Sequence, residues 1–164
     1  QWVANHSEVN TQLLSQEGTI AMIPEPFVST ALAQGQEGVT KLFDLNELWE
    51  EATGQQLPMG VLVATRSFAE DRSDDLKVLL SDLQASVDYV NDSPAEAAKA
   101  IVEHGFIGDE AIAEAAIPNC HIVLYTGDNA AEGIEMLKTF NQTLYDMDPA
   151  SVGGALPDEN LYYQ

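Results

Sequence analysis

The sequence predicts an α/β fold, with a mostly parallel sheet in the first third followed by a helix-rich remainder. Three observations carry that expectation. Short apolar runs alternate with amphipathic stretches through residues 1–54 in a β-α-β-α-β rhythm. A strongly β-forming run, Met59 to Thr65, follows the break at Leu57-Pro58. Beyond it, apolar residues recur almost only at helical spacing.

Residues 1–4 read as a short apolar strand. Asn5 and Ser7 both suit a helix N-cap, and Glu8 lies where a capping box needs an acid. Val9, Leu13 and Leu14 then share one helix face up to the stop at Gly18. The run 19–23 is a second strand, closed by Pro24-Glu25-Pro26. Pro26 is suited to the first turn of a helix over 27–34. Residues 39–43 make a third strand and 45–52 a short helix ended by Gly54. In the remainder, Leu76, Leu79, Leu80, Leu83, Val87 and Val90 mark one long amphipathic helix. Ser93, Pro94 and Glu96 start the next helix and Gly105 stops it. Further helices are expected over 109–116 and about 130–145, with 121–126 a strand or a packed extended stretch.

Charge excludes several classes. The chain has 27 acidic and 6 basic residues among 164, a net charge of −21. Nucleic acid and anionic membranes both demand a cationic surface, so neither is an expected partner. Cys120 is the sole cysteine, which rules out a disulfide framework or a thiolate metal cluster. Its flanks, Ile117-Pro118-Asn119 and Ile122-Val123-Leu124, read as core, so Cys120 is expected to be structural. His6, His104 and His121 lack metal-ligand spacing, and no metal or cofactor is expected. Neither a Gly-x-Ser-x-Gly elbow nor a glycine-rich phosphate loop is present.

Two segments stand apart. The Asn5-His6-Ser7 turn and Glu25 both lie where an expected strand gives way to a helix. In parallel α/β sheets such junctions collect ligands, because free helix N–H groups point into the crevice there. A carboxylate at this place either meets a ligand or caps the next helix.

The ordered set TIAMIPEPFVSTAL, LPMGVLVATRSF, SPAEAAKAIVEHG, IPNCHIVLYTGD and DPASVGGALPDENLYY resembles the C-terminal part of solute-binding proteins of ABC importers. The group it resembles is the nitrate/sulfonate/taurine and thiamine-precursor binding family. The resemblance implies a partial type II periplasmic-binding-protein fold. On it, residues 1–58 belong to the second lobe, 59–66 cross the hinge, and 67–164 form the helical end of a first lobe whose sheet lies outside the chain. It also implies an extracytoplasmic, periplasmic or lipoprotein-anchored binder that works with a membrane permease. Asn5, Ser7, Glu25 and Phe27 would line the cleft around an amine, aminopyrimidine, sulfonate or similar small molecule, with Glu25 favouring cationic or donor ligands. Thiamine-precursor synthases share the fold but use histidine and cysteine clusters that this chain lacks, so a non-catalytic protein is expected. A swapped homo-oligomer is a possible outcome if the piece is isolated. The alternative is an acidic, non-catalytic interaction module that folds alone.

Overall fold

The computed structural model describes residues 2–163. Eight α-helices order the chain among these residues: α1 (His6–Ser15), α2 (Phe27–Gly35), α3 (Leu45–Thr53), α4 (Arg66–Asp71), α5 (Ser73–Asp92), α6 (Pro94–Glu103), α7 (Glu110–Ala116) and α8 (Ala130–Met147). Short 3-10 turns stand at Gln36–Gly38, Ile117–Asn119, Gly127–Asn129, Pro149–Val152 and Glu159–Leu161.

No strand forms among the described residues, and this corrects the expected α/β fold with its mostly parallel sheet and periplasmic-binding-protein architecture. The runs 19–23, 39–43, 59–65 and 121–126 are irregular, without ladder partners. Many of their apolar side chains remain outside: Ile20 is 82% exposed, Met22 69% and Val63 82%. Alternating hydrophobicity specifies a conformation suited to pairing, but a strand exists only where a second segment supplies the hydrogen bonds. Where such a run is anchored, side chains do it. Asn91 Nδ2 donates to the Ile122 carbonyl at 2.9 Å. Gln1, in the first expected strand, lies outside the described residues; Trp2 to Ala4 form no strand.

Helix ends follow local chemistry. Asn5 Oδ1 accepts the Glu8 N–H at 2.9 Å, so Asn5 rather than Ser7 caps α1. Glu8 reaches back to the Ala4 N–H at 3.3 Å. Asp44 and Asp109 cap α3 and α7 in the same way. Pro94 takes the first position of α6, while the Ser93 hydroxyl makes no cap bond. Gly54 ends α3 at φ 74°, a left-handed conformation that a side chain disfavours.

The chain divides into two compact units. Unit 1 runs to Leu42 and resumes over Asp82–Val123; unit 2 comprises Phe43–Ser81 and resumes at Leu124. In unit 1, α6 packs on α7, α7 on α2 and α2 on α1. Its core is Ala97, Ala98, Ala113 and Ile117, flanked by Val90, Ile101, Val102 and Ile107. In unit 2, Trp49 of α3 meets Phe140 of α8 edge-on, with ring centres 5.5 Å apart. Gly133 lets α8 lie against Tyr125, where an added Cβ would collide with the Tyr125 side chain.

Candidate functional site

Unit 1 gathers chemically able side chains where α1 and α2 begin. The Pro24 carbonyl accepts the N–H groups of Phe27 and Val28, at 2.9 and 3.2 Å, which turns the chain into α2. Across the cis Glu25–Pro26 peptide, the Glu25 carboxylate folds forward. Its Oε2 accepts the Ser29 N–H at 3.0 Å, satisfying a donor that the helix start leaves free. Glu25 is half-buried, and its other oxygen has no protein donor among the described residues.

Helix α1 contributes the facing groups. The His6 ring lies 5.2 Å from the Phe27 ring, tilted by 45°. One turn on, Asn10 is 6% exposed and its Nδ2 donates to the Phe27 carbonyl at 2.9 Å. Asn10 Oδ1 is buried with no donor. Such an orphan costs about 1–3 kcal/mol, which the packing of the junction as a whole offsets. Cys120 completes the cluster. Partial burial pushes its thiol above the ordinary range, and the nearby Glu25 charge adds to the rise. The thiol is therefore protonated near neutral pH.

Of the four residues singled out in the sequence, Glu25 and Phe27 sit together here. Asn5 is spent as the cap of α1. Ser7 is exposed, and its carbonyl accepts the Thr11 hydroxyl at 3.0 Å. Sequence reasoning passed over His6, Asn10 and Cys120 as members of this group. One signal pointed to Asn10: an asparagine inside a helix is locally unfavourable and implies a tertiary partner. Nothing local ties Cys120 to residues so far upstream.

Among the described residues, no group of three or more His, Cys, Asp or Glu side chains is placed to hold a metal ion. No helix among them is long and apolar enough to cross a membrane.

Comparison with known proteins adds what the geometry cannot. Residues 10–140 match the family described as Menaquinone biosynthesis. A 1,4-dihydroxy-6-naphthoate synthase of Streptomyces coelicolor is 33% identical over 95 residues, 58% of this chain and 31% of the relative. The chain thus spans about a third of the length of the curated relative it matches. No solved structure matches. These matches overturn the resemblance to ABC-importer solute-binding proteins. With it fall the transport role, the permease partner, the amine, aminopyrimidine or sulfonate ligand and the expectation of a non-catalytic protein. The acidic interaction module gains no support either. Short apolar runs and prolines in similar order misled because they report helix and turn spacing, which unrelated activities share. On the match over residues 10–140, the chain belongs to the menaquinone biosynthesis family.

Proposed function

We propose that the chain forms part of an enzyme of menaquinone biosynthesis that handles an aromatic ring system, with Glu25, Phe27 and His6 contacting the ligand at the α1–α2 junction. Asn5 and Ser7 shape the turn that carries His6. The family match over residues 10–140 is the observation that carries the reading. The junction supports it with chemistry of the right kind. Two partly exposed rings offer an aromatic contact surface. A half-buried carboxylate offers an acceptor, and an imidazole is the side chain best suited to proton transfer near neutrality. The Streptomyces coelicolor relative is named for making 1,4-dihydroxy-6-naphthoate, a bicyclic aromatic acid.

The test is complementation. A bacterial strain lacking its own 1,4-dihydroxy-6-naphthoate synthase should regain menaquinone, measured by mass spectrometry of lipid extracts, when supplied with the gene encoding this chain. Phe27→Ala should reduce that yield. Absence of menaquinone despite soluble expression of the protein rejects the reading.

A further inference from the structure

Resting on that reading, we infer that Glu25 sets ligand specificity at the α1–α2 junction by accepting a hydroxyl donor of the aromatic ligand and keeping the ligand's carboxylate away. The argument is one of hydrogen-bond supply. The Ser29 N–H is spent on Glu25 Oε2, and the Asn10 amide N–H on the Phe27 carbonyl. What remains is acceptor capacity at the second oxygen of the half-buried Glu25, which has no protein donor among the described residues. A carboxylate brings only acceptors, whereas a phenolic hydroxyl brings the missing donor. Its bond to an ionised carboxylate is charge-assisted and short.

Charge points the same way. No cation pairs with Glu25 among the described residues. Cys120 stays a neutral thiol beside Glu25 and supplies no opposing charge. A ligand bearing hydroxyls on one ring and a carboxylate on the other therefore binds hydroxyls-first, with its ring against Phe27 and His6. Desolvating Glu25 without giving it a donor is penalised, so the site discriminates by what a wrong ligand lacks.

Three probes, titrated calorimetrically into the full chain under anaerobic conditions, test this: 1,4-dihydroxy-6-naphthoate, 1,4-dihydroxynaphthalene and 1,4-dimethoxy-6-naphthoate. The two diols should bind within about threefold of each other, and the dimethoxy acid at least about tenfold more weakly. Glu25→Gln still offers an oxygen to the Ser29 N–H and should narrow the diol–dimethoxy gap to about threefold, whereas Phe27→Ala should weaken all three alike. Equal affinity for dihydroxy and dimethoxy acids overturns the inference but leaves the aromatic site standing. A diol that binds only when carboxylated overturns the orientation. If none of the three binds, the proposed function itself fails. Should Glu25→Gln not fold, the three-ligand comparison on the unaltered chain decides alone.

Discussion

The two compact units are built by different means. Unit 1 buries Ala31, Ala97, Ala98, Ala113, Ala116 and Ile117, whereas Leu76 is the one buried hydrophobic residue in unit 2 among the described residues. Alanines let helix backbones approach closely, and unit 1 packs its helices over a mostly alanine core. Unit 2 relies on larger groups, such as Trp49 against Phe140 and the Tyr125 ring seated over Gly133 of α8, and on exposed polar ties. Arg66 Nη2 donates to the Asn160 carbonyl at 3.1 Å, and Lys138 Nζ meets Glu159 at 2.9 Å. The difference bears on function. The candidate site stands on α1 and α2, which are packed on the tighter unit's own helices, and a binding constellation needs that kind of backing.

The largest effect should come from the unit with least redundancy. Leu76→Ala removes the one buried leucine among the described residues, 4% exposed, and should cost about 2–5 kcal/mol in urea unfolding. Hydrogen exchange should show protection lost over Phe43–Ser81 and beyond Leu124 more than over Asp82–Val123. Uniform loss across both units would mean that they unfold as one, and their difference in packing would have no energetic counterpart.

The converse experiment overfills unit 1. Ala113 is 0% exposed, on a helix that packs against both α6 and α2. Ala113→Leu adds three carbons where there is no space and should cost about 1–3 kcal/mol. Its exchange signature should fall on α2, α6 and α7. Because α2 carries Phe27 and is held to Glu25, affinity for an aromatic probe should drop as well. Unchanged affinity would show that the junction tolerates movement of its support.

What was legible in the sequence divides along the same physical line. Local rules placed Asn5 and Pro94 at helix starts and Gly54 at a helix stop, because each acts within a turn of its own position. The long apolar stripe from Leu76 to Val90 is α5. Strands were misread because Ile20, Met22 and Val63 encode only half of a pairing, and the other half is non-local. Glu25 was visible as a junction carboxylate able to cap the next helix, and its bond to the Ser29 N–H is that cap, but its neighbour Cys120 was not visible. The Asn10–Phe27 tie spans 17 residues and the approach of Cys120 far more, so no spacing rule announces either. Family membership was hidden for a related reason. No short motif in the chain states its chemistry, and the helical spacing it does show is common to many activities.

A smaller effect tests a single terminus in unit 1. Asp109→Ala removes the acceptor for the Ile112 N–H, 3.0 Å away, and leaves that donor to water. The cost should be about 1 kcal/mol, read as a lower urea midpoint at unchanged slope. Exchange should quicken at the start of α7 and not in α8. A loss well beyond that size would show that Asp109 does more than cap.

The smallest effect lies at the polar ties of unit 2. Lys138 holds its proton more firmly than an ordinary lysine, chiefly through its hydrogen bond to Glu159, with Glu135 adding to it. A pKa raised in the folded state means that the tie contributes fully below the ordinary lysine value of 10.5. It is lost as pH rises through the higher folded value. Across neutral pH the contact is therefore constant, and salt rather than protons should loosen it. Nitrogen-detected NMR of the Lys138 ammonium should give a midpoint above that of free lysine. Glu159→Gln should bring it back most of the way, and the remainder should go with Glu135→Gln. The unfolding midpoint should barely move in either variant, because the pair is exposed, while exchange across Glu159–Leu161 quickens. A marked fall in the midpoint would show that this clasp, rather than Leu76, anchors unit 2.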